Sequence, residues 1–193
     1  FPFEKVDYVF TTVHISSYVP VPILEIGSFL QDNDIDRVRK LFARESKDFL
    51  QKYFKKELFF TDVEGKTKDE VLKNLCRKVE QEKGLPETFT ASVLKREELT
   101  PTDYGNLVAL PHPERAFQER AFVAVAVLKE PIFWFRQKVQ VVFLTAIGRE
   151  EDENLQQFYE ATTDLILRPA DVQNLIRHPD YDRLIQLLRR AEE

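Results

Sequence analysis

Two apolar runs, Ala121–Leu128 (AFVAVAVL) and Val139–Ala146 (VQVVFLTA), constrain this chain more than any other feature. Neither alternates apolar with polar residues, as a strand with one wet face would. Runs of this length, rich in valine, read as strong strands. A chain built around them must contain a sheet with a substantial apolar core.

The flanking sequence supplies helices. Thr67 and Glu70 form a capping-box pattern. Val71, Leu72, Leu75, Cys76 and Val79 follow at helical spacing, and Gly84 stands where a C-terminal glycine cap belongs. Thr88 is placed to cap a shorter helix with Phe89, Val93 and Leu94 facing inward. Glu150–Leu167 carries Leu155, Phe158, Tyr159, Leu165 and Ile166 and reads mostly as helix. Pro169 and Pro179 are each placed to open a further helix at its first turn, the last with Leu184, Leu187 and Leu188 inward. Leu107–Leu110 reads as a short strand, Leu58–Phe60 as a short apolar segment, and Ser46–Phe54 as a helix bearing Phe49, Leu50, Tyr53 and Phe54. Upstream, Val6–Val13 and Ile23–Ile26 read as strands. Ile35, Val38, Leu41 and Phe42 then recur at helical spacing behind Asp32–Asn33–Asp34. Strands alternate with helices, so the fold class is α/β.

The chain's 193 residues suit one domain, or one domain with part of another. A boundary is expected in the charged stretch Arg44–Asp48. The first 44 residues, strand–strand–helix, are too few for an independent core. Acidic residues outnumber basic ones, giving a net charge of −5, which argues against a nucleic-acid-binding surface on this chain. No apolar run approaches the roughly 20 residues of a membrane helix. The first ten residues, with Glu4, Lys5 and Asp7, do not read as a signal peptide. A lone cysteine, Cys76, precludes an intrachain disulfide and fits a cytoplasmic location. Methionine is absent even from position 1, so a larger parent is expected.

Residues that carry chemistry are scarce. Three histidines, one cysteine and five glycines leave no zinc-spaced cluster and no phosphate-cradling glycine loop. No metal or cofactor is therefore expected. No local signature supports a Ser/His/Asp arrangement. The unusual element is Pro111-His112-Pro113 directly after a strand. Pro111 cannot continue regular pairing, and Pro113 pushes His112 out of the helical region. An imidazole held this way can act as nucleophile, base or ligand, or be an ordinary loop residue. The other candidates have plainer readings. His14 is a strand-end polar residue, His178 serves a turn or cap, and Cys76 is a small core hydrophobe. Arg96 and Glu97 form a charged helix end, and Glu150–Glu153 a solvated helix start. Trp134, between Phe133 and Phe135, reads as core or hairpin flank. Those aromatics would suggest a partner surface only if exposed.

Residues 95–113, KREELTPTDYGNLVALPHP, resemble the active-site region of the mannitol/fructose-type enzyme IIA domains of the bacterial sugar phosphotransferase system. The shared pattern is an Arg-Glu-rich segment, a threonine, a glycine, a short apolar strand and then Pro-His. The flanking helix 68–84, the strands near 123–128 and 139–146 and the helix from about Glu153 follow in the family's order. The resemblance covers about residues 52–193. Gly105-Asn106 and the proline after the histidine look most like the IIA-like domains that close BglG-type transcription regulators and antiterminators, which carry phosphotransferase-regulation (PRD) modules. In those an enzyme IIB-like domain comes first, and residues 1–46 resemble its second half. The phosphoacceptor cysteine of a IIB domain would lie outside this chain, and Cys76 is no substitute.

The resemblance implies a mixed sheet flanked by helices in an IIA-like domain over residues 47–193, behind a partial IIB-like β-β-α segment over residues 1–46. It makes His112 the phosphoacceptor, Arg96 the group that offsets phosphoryl charge and Thr102 a further hydroxyl donor. Asn154 stands where many members carry a second histidine. Asparagine can hydrogen-bond a phosphoryl oxygen but cannot take up a proton at neutral pH, which favours a sensor over a relay. The implied partners are the phosphocarrier HPr or a IIB component, and other domains of a parent regulator. Nucleic acid would be met through N-terminal domains outside this chain, with no membrane insertion and with a homodimer left open. The alternative reading is a IIA component that relays phosphate to a IIB sugar permease domain.

Overall fold

In the computed structural model, which describes residues 3, 6, 8–16, 18–27, 34–35, 50–149 and 155–189, the chain divides into two compact units, Phe1–Ser46 and Lys47–Glu193. In the first, β1 (Val9–Thr11) pairs in parallel with β2 (Ile23–Glu25). The ladder is closed by Val9 N–H to Pro22 O and Ile26 N–H to Thr11 O. His14 is exposed beside Glu25, at 3.4 Å. The helix expected over Ile35–Phe42 falls mostly on Val38, Leu41 and Phe42, which lie outside the described residues.

The second unit is a five-stranded sheet ordered β3-β6-β7-β5-β4. Its strands are β3 (Phe54–Phe60), β4 (Asp103–Gly105), β5 (Val108–Ala109), β6 (Phe122–Phe133) and β7 (Lys138–Ala146). β6 and β7 are antiparallel, whereas β3 is parallel to β6 and β5 is parallel to β7. β4 completes the sheet, antiparallel to β5. The sheet is therefore mixed, with the two apolar runs among its middle strands.

Alternation along β6 shows why both runs had to be apolar. Val123, Val125 and Val127 enter one core with helices α3 (Leu155–Leu167), α4 (Pro169–Arg177) and α5 (Tyr181–Arg189). Phe122, Ala124, Ala126 and Leu128 enter a second core with α1 (Lys68–Lys83) and α2 (Thr88–Leu99). Each face has its own helical layer, so both runs are largely apolar, and the polar Gln140 and Thr145 of β7 sit at half-buried positions. The α1 stripe Val71, Leu72, Leu75, Cys76 and Val79 is fully buried. Each large aliphatic side chain there contributes about 1.5–3 kcal/mol.

The helix punctuation is partly as expected. The Thr67 hydroxyl accepts the Glu70 amide, and Glu70 reaches back to the Lys66 amide. Gly84 closes α1 in the left-handed conformation, φ 62°, where a side chain would add strain. Pro169 is in the first turn of α4, and His178 caps its C-terminus. Three expectations are corrected. Thr88 is the first residue of α2, not its cap; Glu80 of α1 instead accepts the Thr90 amide and hydroxyl. Pro179 does not open α5; Asp180 accepts the amides of Asp182 and Arg183 and caps it. Residues 50–53 are helical, but Phe54 already begins β3. There Phe54 and Leu58 point inward while Lys55, Lys56 and Glu57 are exposed, as suits an edge strand.

The strand β7 leaves the sheet through a tight contact. A Cβ at Gly148 would overlap the backbone of Glu119 and Arg120, and the Arg149 amide bonds Gln118 O. Gly148→Ala should therefore lower stability by about 1–3 kcal/mol through overpacking, read as a reduced urea midpoint. Cys76 is buried, and desolvation pushes its thiol pKa up to about 12. It should resist a thiol-reactive disulfide reagent in the folded protein at mildly alkaline pH and react once urea unfolds the chain.

Candidate functional site

The site begins at the β4–β5 hairpin. Its two-residue turn, Asn106-Leu107, has both residues at positive φ, 49° and 65°, after Gly105 at 97°. Such turns match the twist of the flanking strands. Asparagine enters this region readily and leucine does not. Neighbouring bonds hold the turn in place. The Asn106 side-chain amide donates to Ile166 O at the end of α3, at 2.9 Å. Leu107 O accepts two successive amides, Gln140 at 2.8 Å and Val141 at 3.0 Å. Two donors on one carbonyl produce a bulge in β7. Val139 accordingly joins the α1–α2 core and Val141 the opposite one.

β5 then delivers Leu110-Pro111-His112-Pro113. Leu110 N–H donates to Thr102 O at 3.1 Å, and Thr145 N–H on β7 donates to Pro111 O at 3.0 Å. Both prolines are buried and His112 between them is half-buried. β5 and β7 run parallel, so His112 emerges just beyond the carboxyl end of β5, on the side of the sheet where β7 also ends. His112 Nδ1 lies 3.3 Å from Leu110 O. A carbonyl oxygen only accepts, so the ring proton belongs on Nδ1 and Nε2 carries the free lone pair.

One face of α2 holds the segment after the histidine. The Glu114 amide donates to Ser92 Oγ at 2.9 Å. Lys95 Nζ meets the Glu114 carboxylate at 3.0 Å. Ser92, Lys95 and Arg96 are three and four residues apart, so Arg96 shares this face. Its guanidinium donates to Thr100 O at 3.4 Å and, among the described residues, makes no hydrogen bond to His112. It is half-buried and uncommitted to any carboxylate among the described ion pairs.

Thr102 is buried and turned away from solvent. Its hydroxyl donates to Glu97 Oε2 at 2.9 Å and its amide to Glu97 Oε1 at 2.8 Å. The hydroxyl proton expected for a phosphoryl oxygen is committed to Glu97 in this geometry. Glu97 Oε1 also accepts the Trp134 indole N–H at 2.8 Å. Trp134 is core, while Phe133 and Phe135 on either side are exposed, at 65% and 52%. Asn154 lies outside the described residues. Among the described residues no group of His, Cys, Asp or Glu could hold a metal ion, and no helix is long and apolar enough to cross a membrane.

Residues 52–191 match the family described as phosphoenolpyruvate-dependent sugar phosphotransferase system, EIIA 2. The chain belongs to this family. It is 34% identical over 182 residues to the probable licABCH operon regulator of Bacillus subtilis (strain 168), covering 94% of this chain and 28% of the regulator. It is 24% identical over 182 residues to the transcriptional regulator ManR of the same organism, again covering 28% of that protein. The chain thus spans little more than a quarter of the curated regulators it matches. Among solved structures, the nitrogen regulatory protein IIA-Ntr from Neisseria meningitidis superposes with TM-score 0.61 at 18% identity, over 72% of this chain and 99% of that one. Enzyme IIAMTL from Escherichia coli, solved in complex with phosphorylated enzyme IIBMTL, superposes with TM-score 0.58 at 19% identity, over 70% and 97%. These likenesses show the EIIA fold.

In this EIIA 2 domain the residues that shape the site exceed those picked out from sequence. Ser92, Lys95 and Glu114 bind the histidine's own loop, and Asn106 ties its hairpin to α3. The hairpin left one usable signal, the Gly-Asn pair. Ser92 left none, because its partner is a backbone amide distant in sequence. Asn106→Ala should cost about 2 kcal/mol, roughly 1 for the lost hydrogen bond and about 1 for a left-handed alanine. Urea denaturation measures it.

Proposed function

We propose that this domain is a regulatory phosphoryl acceptor, with His112 Nε2 as the nucleophile. The observation that carries the reading is the Nδ1 contact to Leu110 O, which leaves Nε2 with the lone pair. That lone pair attacks phosphorus of a donor phosphohistidine. The donor P–N bond breaks and its electron pair returns to the donor ring. The product ring bears phosphate on Nε2 and keeps its Nδ1 proton, so it is cationic and its bond to Leu110 O becomes charge-assisted. Arg96, on the α2 face beside the His112–Glu114 segment, supplies a planar two-pronged donor for the phosphoryl oxygens. Thr102 acts through Glu97 and the backbone. Positioning and electrostatics are what phosphoryl transfer asks of a protein.

The donor is the phosphocarrier HPr or a IIB component. The phosphoryl group's charge of about −1.5 to −2, partly offset by the cationic ring, changes how the domain packs on the rest of a longer cytoplasmic, sugar-responsive regulator. The match to two bacterial regulators along 94% and 90% of this chain supports this setting. In this reading the parent is of BglG type with PRD modules, and residues 1–46 are the end of a IIB-like domain. Its nucleic-acid contacts belong to N-terminal domains, and a homodimer is compatible with it. Asn154, in place of the family's second histidine, fits sensing.

A second reading is a IIA component that passes the phosphoryl group on to a IIB permease domain. It is favoured by 24% identity over 136 residues to multiphosphoryl transfer protein 1 of Escherichia coli (strain K12), which covers 68% of this chain.

Incubation with phosphoenolpyruvate, enzyme I and HPr, read by intact mass, tests both readings. One acid-labile phosphoryl adduct is expected on the wild type, linked through Nε2 by phosphorus–nitrogen NMR, and none on His112→Ala. An adduct that survives His112→Ala would overturn the assignment. Adding a IIB protein separates the readings, because onward transfer at turnover rates favours the relay.

A further inference from the structure

The carboxylate of Glu97 is 1% exposed, yet sequence gave it only a helix-end role. Three donors converge on it: the Thr102 amide, the Thr102 hydroxyl and the Trp134 indole. A buried carboxylate is tolerated only when its lone pairs are met this way, and bonds to it are stronger than neutral ones. The bonds continue toward the histidine. Thr102 O accepts the Leu110 amide at 3.1 Å, and Leu110 O accepts His112 Nδ1 at 3.3 Å. A succession of hydrogen bonds, linked through the backbones of Thr102 and Leu110, thus joins a buried anion to the imidazole.

We propose that Glu97 is a positioning residue that holds His112 in its Nδ1–H tautomer, by fixing Thr102 and through it the Leu110 carbonyl. The inference deepens the phosphoacceptor reading and rests on it for its consequence, though not for its geometry. Each link has one job. Trp134 and Glu97 lock the end of α2 against the β6–β7 hairpin. Glu97 grips Thr102 by two atoms and so sets the height of the segment entering β4. The Thr102–Leu110 bond transfers that height to the residue whose carbonyl receives the ring proton. If the Leu110 carbonyl is displaced, Nδ1–H loses its acceptor and the proton has no reason to stay on that nitrogen. The lone pair then moves off Nε2, the nitrogen that faces away from the backbone.

Glu97→Gln keeps size but replaces one carboxylate oxygen with an amide that cannot accept. In the wild type, long-range nitrogen–proton NMR of the unphosphorylated imidazoles is expected to show His112 protonated on Nδ1 alone, with His14 and His178 as internal references. Glu97→Gln should give a mixture of tautomers and slow phosphoryl uptake from phospho-HPr by about 10-fold, the rate equivalent of about 1.4 kcal/mol of lost positioning. A role in stability alone would lower the melting temperature and leave the tautomer untouched. Thr102→Val, which removes only the hydroxyl arm, should shift both readouts the same way by less, and it decides the matter if Glu97→Gln does not fold. A wild-type His112 protonated on Nε2 would overturn the inference. So would a folded Glu97→Gln, or failing that Thr102→Val, with unchanged tautomer and rate. If the wild type takes up no phosphoryl group, the phosphoacceptor reading fails while the tautomer measurement still decides this one.

Discussion

The antiparallel ladder between β6 and β7 is the constraint on which the rest depends. Its register runs from Phe122 opposite Ala146 to Phe133 opposite Lys138. Both faces are covered, one by α1 and α2 and the other by α3 to α5. Water excluded from both sides makes each unpaired amide there expensive, so the ladder is a rigid reference. The histidine is positioned against it by one bond in particular, from the Thr145 amide to the Pro111 carbonyl. The chain reads as a stiff central pair with a chemical edge attached.

That edge is assembled from bonds of three kinds. Backbone pairing brings β5 alongside β7, and a strained turn reverses β4 into β5. Side chains from α2 then fasten the loop beyond His112. Leu107 at φ 65° is costly by itself. It persists because its carbonyl serves two β7 amides, and releasing the strain would leave both without an acceptor. Strain and bulge therefore stabilise each other, and together they set where β5 ends.

The central strands, the α1 box and stripe, and the Pro-His-Pro element were all legible in the sequence, since each is written in residues adjacent along the chain. The resemblance over residues 95–113 pointed to the family that the comparisons show. What escaped was written across the fold. Glu80 replaces Thr88 as the cap of α2 from a neighbouring helix, and no local pattern encodes that. Asp180 was overlooked beside the more conspicuous Pro179. β4 is three residues long and too polar to read as a strand. Glu97 looked like one more charge at a helix end because its donors lie five and 37 residues away. Phe133 ends β6 and Phe135 lies in the turn beyond it, both exposed, while Trp134 between them is held inward by its indole bond to Glu97.

The shortness of β5 has a thermodynamic consequence. Two residues of parallel pairing and a three-residue edge strand hold the histidine's strand in the sheet. Segments with so few backbone bonds open locally at a fraction of the free energy of global unfolding. If His112 takes up a phosphoryl group as proposed, the new charge competes with that small local opening energy and not with the two cores behind it. A rearrangement of this rim would not require the β6–β7 ladder to open, so a modification there need not be a folding event.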